Sequence, residues 1–489
     1  MMLDNERIEQ IVQNVMAELR QGSRVRSGPQ PEPLASVEPP PPATALQHGD
    51  NLFPDVDGAV AAARQAFNKL NELPLELREH MIAHIRRSMR ENAQVLAHEA
   101  WQETGMGRYE DKTQKNLLNA NKAPGTELLE PKAWTGDGGL TLVEFAPYGV
   151  IGSIIPSTNP TSTVICNSIS MIAAGNAVVF NAHPGAHRCS NHTVQLINDA
   201  IVEAGGPANL VCAIDNPTIE TAQQIMTHKD INLLTVTGGI GVVREAMKSG
   251  KRAICAGPGN PPVVVDESAD LEQAGRDIVR GASFDNNIIC TDEKGVFAVD
   301  ATVDSLKAAM KRHGAYEIDL GQLEQLLKKL FTDSPPPGRH GTMNKDFIGK
   351  NANVLLKEIG IDVGDEIRLV IAEVPAEHPL VWSEQMMPIM PIVRMRDAYE
   401  AIDLAKRSEH GFRHTAAMHS KNLDHLDRMA RLMDCSIFVK NGSSFAGIGY
   451  GGEGFCSMTI ASPTGEGITN PISFSRIRRC TLKDSFRIV

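Results

Sequence analysis

Between residues 140 and 266, apolar runs alternate with helix-patterned stretches, and this alternation constrains the fold more than any other feature of the chain. LTLVEFAPYGVIGSII (140–155) alternates and then runs apolar, as strands do. Helix-like IVEAGG (201–206), strand-like LVCAI (210–214), helix-like IETAQQIMTH (219–228) and strand-like INLLTVTGG (231–239) follow in turn. Such a succession indicates a doubly wound α/β sheet. Residues 56–98 are helical in pattern, a second α/β unit begins after PPVVVD (261–266) and runs to about residue 445, and FSRIRRCTL (474–482) is strand-like. No internal repeat of solenoid period is visible.

A different kind of sequence precedes this body. In NERIEQIVQNVMAELR (5–20), Ile8, Ile11, Val12, Val15, Met16 and Leu19 recur at helical spacing. They cover an arc of about 140° at the helical rotation per residue. Residues 28–42 then hold seven prolines, with PPPP at 39–42, which makes a semi-rigid extended linker. A helix this short is marginal in water, so it orders either on a partner or by folding back on its own enzyme. Four acidic residues, Asp4, Glu6, Glu9 and Glu18, argue against a mitochondrial presequence.

Composition excludes several classes. The 489 residues carry a net charge of −11 and 4% aromatics, which suits neither phosphate tracking nor base stacking, so no nucleic-acid partner is expected. No run approaches the roughly 18 apolar residues of a membrane span. The eight cysteines never fall in a C-x-x-C pair. Scattered single thiols without a secretory signal fit a reducing cytoplasm. His183/His187 and His410/His414 are i,i+4 pairs, but no carboxylate or thiolate motif completes either set, and no metal is expected.

Three segments could carry chemistry. Thr237, Gly238 and Gly239 stand where a strand runs into a helix; this is either a plain turn or an anion site for a pyrophosphate. Asn159 lies in PSTNPTST (156–163), as a turn residue satisfying backbone groups or as an amide donor projecting into a cleft. Cys290 ends FDNNIIC (284–290) and competes with seven other cysteines for the role of nucleophile.

Taken together, these residues resemble the aldehyde dehydrogenase superfamily. FDNNIIC is similar to its F-x-N-x-x-x-C nucleophile segment, PSTNPTST to its oxyanion loop, TVTGG to its phosphate-binding turn, and SEQMMPIMPIV (383–393) to its E-x-x-x-P-[VI] segment. The resemblance covers about residues 50–489. It implies Cys290 as nucleophile and Asn159 as oxyanion donor, with Thr237, Gly238, Gly239, Glu384, Pro156 and His183 at the cofactor. It also implies a Rossmann-type cofactor domain over 50–261, including an oligomerisation hairpin at 132–148. A catalytic α/β domain would span 262–445, and 446–489 would return to the cofactor domain and add an oligomerisation strand. A homodimer or homotetramer is implied.

Two departures from the superfamily narrow the expected activity. Hydrolytic members carry E-L-G-G before the nucleophile, and its Glu activates water; here the place reads CAGPGNPP (255–262) without a carboxylate. NAHPGAH (181–187) replaces a K-P motif. Both resemble the CoA-acylating branch, in which an acyl-Cys thioester waits for CoA. The implied reaction oxidises a short-chain aldehyde, propanal favoured, with NAD and coenzyme A. The helix (1–20) and linker (21–49) resemble encapsulation peptides, which implies a bacterial microcompartment and shell or core partners for residues 5–20. The alternatives are an acetaldehyde-specific acylating enzyme, a glutamyl-phosphate reductase relative and a non-catalytic shell-organising scaffold.

Overall fold

The computed structural model describes residues 51–333, 335–336 and 338–489; the proposed amphipathic helix and the linker lie outside them. Two parallel sheets organise the chain. The first has the strand order Leu52–Phe53, Val211–Ile214, Ala177–Asn181, Val150–Ile154, Leu233–Thr237, Ala253–Ala256. Every pairing in it is parallel. Three of its inner strands, Val211–Ile214, Ala177–Asn181 and Val150–Ile154, are buried along their whole length and the fourth, Leu233–Thr237, all but its last residue, as expected where helices cover both faces of a parallel sheet.

After the edge strand Leu52–Phe53, the chain re-enters this sheet near its middle at Val150–Ile154, winds out toward that edge, and returns to the other side at Leu233–Thr237. That reversal opens a crevice outside the carboxyl ends of Val150–Ile154 and Leu233–Thr237, where ligands of doubly wound sheets bind. Pro156 and Asn159 follow the first of these strands, and Thr237–Gly239 closes the second.

The second sheet has the order Ala315–Glu317, Leu369–Glu373, Ile389–Met395, Gly295–Val299, Pro262–Val265, Thr415–His419, Ile437–Lys440, again parallel throughout. One apolar core runs from the first sheet onto one face of the second, and another fills the opposite face. Among the described residues no helix is long and apolar enough to cross a membrane.

Local sequence accounts for the helix boundaries. Asp55 caps Val56–Leu70 by accepting the N–H of Gly58 at 2.8 Å, and Val56, Ala59, Val60, Ala63, Ala66 and Leu70 form its buried stripe. Asn422 caps Leu423–Met433, and Asp434 closes that helix in the left-handed conformation.

After residue 446 the chain returns to the first sheet. Thr459 Oγ1 lies 3.0 Å from Thr237 Oγ1, and Thr464 Oγ1 accepts the N–H of Cys255 at 3.0 Å. Ser475–Lys483 then pairs antiparallel with Gly139–Pro147, whose other neighbour is Lys132–Gly136. This three-stranded ribbon displays Trp134, Ile477 and Leu482 to solvent.

One buried side chain ties these parts together. Asn176 accepts the N–H groups of Tyr148 (2.7 Å) and Gly149 (3.1 Å) and donates to the carbonyls of Phe474 (2.9 Å) and Met171 (3.2 Å). An Asn176→Ala variant strands several backbone groups in the interior and is expected to lose about 3 kcal/mol or more of stability. Urea denaturation measures this, and a loss below about 0.5 kcal/mol, the usual size for a surface change, would contradict it.

Candidate active site

Four residues separated widely in sequence meet at the amino edge of the second sheet. Glu384, Cys290, Gly259 and His414 each precede one of four neighbouring strands: Ile389–Met395, Gly295–Val299, Pro262–Val265 and Thr415–His419. Gly259 is the hinge of the group. A Cβ there would stand 2.7 Å from the Cys290 carbonyl oxygen and 3.1 Å from His414 Cγ, so only glycine fits. Its N–H makes a long contact of 3.5 Å with Glu384 Oε1. The segment CAGPGNPP therefore passes directly against the loop of Cys290.

That loop has an unusual backbone. Asp285, Asn286 and Asn287 hold φ values of 45°, 57° and 66°, three left-handed residues in succession. Asn and Asp tolerate this region better than other side chains, and here each is fixed by its own hydrogen bonds. Asn286 donates to Gly349 O (2.8 Å) and Asn351 Oδ1 (2.7 Å). Asn287 donates to Ala282 O (2.7 Å) and Glu293 O (3.0 Å). Asp285 accepts the Arg108 N–H at 2.7 Å and pairs with Lys112 (3.1 Å) and Lys115. Buried Lys294 donates to the carbonyls of Asn287 (2.7 Å) and Ile289 (3.3 Å), holding the turn that delivers Cys290.

Asn159 approaches from the first sheet. It precedes the wholly buried helix Pro160–Ala173 but makes no side-chain cap. Its Oδ1 accepts from Lys115 Nζ at 2.7 Å, and its Nδ2 donates to Thr158 Oγ1 at 3.1 Å. The amide does not serve the backbone, as an ordinary turn asparagine would. Lys115 links it to Asp285, and so to the Cys290 loop.

The electrostatics follow from burial. Burial, then the Glu384 and Asp292 carboxylates, push the Cys290 thiol up to about 12. Burial raises Glu384 above the ordinary carboxylate range, with Lys294 opposing. Burial, reinforced by Lys294, holds His414 down to about 4; its Nδ1 lies 2.8 Å from Thr415 Oγ1 while Nε2 has no partner. Five of the other cysteines are buried; Cys435 is half-buried and Cys480 is exposed.

The remaining residues expected at the cofactor line the first sheet's carboxyl edge. Gly239 begins helix Ile240–Lys248 without a side-chain cap, and no acidic residue occupies the first turn. A Cβ on Gly239 or Gly241 would meet nothing. An uncapped helix N-terminus, open space and the absence of negative charge fit a pyrophosphate at this turn. His183 follows strand Ala177–Asn181, is exposed, and accepts the Gly185 N–H at 3.1 Å. The histidine pairs do not converge: His187 contacts Pro184 O, and His410 contacts Trp382 O, both at 2.8 Å. Among the described residues the one group within common ligand reach is Asp266, Glu267 and His425. There the Asp266 carboxylate already accepts from Ser268, Ser420 and His425.

Sequence reading missed Lys112, Lys115, Asp285 and Lys294. The available signal was YEDKTQKN (109–116), which turns two lysines inward three residues apart on a helix whose buried face is largely polar.

A thiol held near pKa 12 is overwhelmingly protonated at neutral pH, so iodoacetamide alkylation of Cys290 in the free protein should rise about tenfold per pH unit from 7 to beyond 9. The Glu384→Gln variant, lacking the nearest carboxylate, should react faster at each pH. Mass spectrometry of the modified peptide measures both, and a plateau near pH 8 would show an ordinary thiol.

Comparison with known proteins places this arrangement. The aldehyde dehydrogenase family model matches residues 34–325. The chain is 46% identical to an acetylating acetaldehyde dehydrogenase of Salmonella typhimurium, with all of both chains covered. It is also 46% identical to a CoA-propanoylating propanal dehydrogenase of Citrobacter freundii, over 91% of this chain and 96% of that one. The solved structure of a propionaldehyde dehydrogenase from the Clostridium phytofermentans fucose utilisation bacterial microcompartment superposes with a TM-score of 0.87 at 47% identity, covering 90% of this chain and 100% of that one. The chain belongs to the aldehyde dehydrogenase family.

Proposed function

We propose that the protein is a CoA-acylating aldehyde dehydrogenase that converts a short-chain aldehyde, CoA and NAD+ into acyl-CoA and NADH. The observation that carries this reading is that CAGPGNPP (255–262), at the segment where hydrolytic relatives supply their water-activating Glu, holds no carboxylate and passes against the Cys290 loop at Gly259. No side chain fits at this position. Propanal is favoured as substrate, on the strength of the propanal and propionaldehyde dehydrogenases among the relatives.

Cys290, as thiolate, adds to the aldehyde carbonyl. The Asn159 Nδ2–H and the Cys290 backbone N–H stabilise the oxyanion, and losing one such donor typically costs about 10²–10³ in rate. Thr237, Gly238, Gly239, Glu384, Pro156 and His183 would hold NAD+, which would supply the hydride acceptor. The chain retains the acyl group as a thioester on Cys290. The CoA thiolate then attacks the thioester carbonyl, the C–S bond to Cys290 breaks, and acyl-CoA leaves with the enzyme thiolate restored. CoA needs little help from a base, because a thiol of ordinary pKa already holds a few per cent thiolate at pH 7.

Without CoA the enzyme should therefore release about one NADH per active site and then nearly stop, since general-base activation of water, typically worth about 10²–10⁴, is missing. Stopped-flow absorbance of NADH follows both phases. Steady carboxylic-acid production without CoA, at the rate of the CoA reaction, would overturn the acylating assignment. Cys290→Ser should abolish NADH formation with NAD+ binding nearly intact, because a hydroxyl is a far weaker nucleophile. Inertness of the wild type with every aldehyde would favour the scaffold reading. A chain-length series of kcat/KM separates propanal from acetaldehyde.

The outer edge of Ser475–Lys483 is unpaired and apolar in part, which supports a homodimer or homotetramer built through the ribbon. Residues 5–20 are read as the segment that docks on microcompartment shell or core proteins. Deleting residues 1–47 should leave activity and folding unchanged and abolish co-purification with shells. Loss of folding, or continued packaging, would assign the segment to the enzyme body.

A further inference from the structure

Helix Tyr109–Lys122 buries two ammonium groups, Lys112 and Lys115, at 2% and 3% exposure. A buried cation is costly unless paired, and the two share one carboxylate, Asp285, itself fully buried. One lysine would neutralise that carboxylate; the second leaves a surplus positive charge beside the Cys290 loop. Its position is telling. Lys115 Nζ donates to Asn159 Oδ1 at 2.7 Å, whereas Lys112 has no bond to that amide.

An ammonium only donates, so its neighbour in the Asn159 amide must be the oxygen, and the NH2 group must face away. One N–H of that group goes to Thr158 Oγ1, leaving the other for a ligand. The bond also draws electron density through the amide and strengthens the remaining N–H as a donor, an effect enlarged where water is excluded. Burial, with Lys112 adding to it and Asp285 opposing, lowers Lys115 to about 8, so the group is still mostly charged at neutral pH.

We propose that Lys115 is a positioning residue of the reaction: its ammonium fixes and polarises the Asn159 amide so that Nδ2–H meets the oxyanion formed when Cys290 adds to the aldehyde. The inference rests on the reading of Asn159 as oxyanion donor, and the test separates the two.

The NADH burst rate measures oxyanion formation and hydride loss, whereas alkylation of Cys290 by iodoacetamide needs no oxyanion site. Lys115→Met should slow the burst about 10- to 100-fold, within the range for losing an oxyanion donor. Alkylation should change far less than the burst, because Lys112 and the Arg108 N–H still hold Asp285 and with it the Cys290 loop. Lys115→Gln, which keeps a neutral donor and much of the volume, should fall between wild type and Met; it carries the test alone if the methionine variant does not fold. In an Asn159→Ala background either substitution should have little further effect on the burst.

Equal factors in the presence and absence of the Asn159 side chain would overturn the inference, as would alkylation falling in step with the burst. Either would leave the reading of Asn159 standing. An Asn159→Ala variant with an undiminished burst would overturn that reading and the inference with it.

Discussion

Asp285 is the point at which two buried lysines, a backbone N–H and a left-handed turn are made to agree, and the geometry around Cys290 depends on it. Residues in sparsely populated backbone regions cost roughly 1–3 kcal/mol each, and three stand in a row here. The turn persists because its alternatives would strand buried charges. Were Asp285 to leave, Lys112 and Lys115 would lose their shared carboxylate in a dry interior. Gly107 shows how closely the parts are fitted: a Cβ there would lie 1.9 Å from Asp285 Oδ1. The Cys290 loop is thus positioned by electrostatics reaching it from a helix about 170 residues earlier in the chain.

The same burial that enforces this pairing sets the reactivity. Cys290, Glu384 and Asp292 are all pushed toward their neutral forms, while Lys294 spends its hydrogen bonds on loop carbonyls rather than on the thiol. A site at rest in this state protects its nucleophile from adventitious chemistry. A cationic ligand ring docking nearby would lower the thiol's pKa by the same Coulomb interaction that the carboxylates use to raise it, which ties reactivity to occupancy of the crevice.

Much of this was legible in the sequence, and the limits have physical causes. The alternation over 140–266 reads in part because strands buried on both faces must be apolar throughout: Val150–Ile154, Val211–Ile214 and Leu233–Thr237 fall inside those runs, whereas Ala177–Asn181 and Ala253–Ala256 lie in none of them. The family was legible because its motifs are local: FDNNIIC is contiguous since the turn and the thiol belong to one loop. The partners of that loop were not. Lys112 and Lys115 look like solvated helix lysines until the fold turns their face inward, and nothing in their spacing names an aspartate so far downstream. For Asn159 the sequence left two roles open; the absence of a cap bond and the lysine on Oδ1, visible only in three dimensions, speak against the turn role. The amphipathic pattern of 5–20 lies outside the described residues.

The choice of acyl acceptor follows from packing as much as from chemistry. Four parallel strands bring their amino ends together, and the segments entering them compete for one small volume. Cys290 takes the centre, with Glu384 and His414 on neighbouring strands. Gly259 is pressed so near the Cys290 carbonyl that its position admits only hydrogen. A side chain cannot be introduced there without moving the backbone of Cys290, and the rest of CAGPGNPP holds no carboxylate either. On the proposed reading, a thioester on Cys290 would have beside it an imidazole held near pKa 4, a weak base for activating water. An incoming thiol carries its own ionisable proton and can shed it in solvent before it arrives, so the barrier that stops water does not stop CoA.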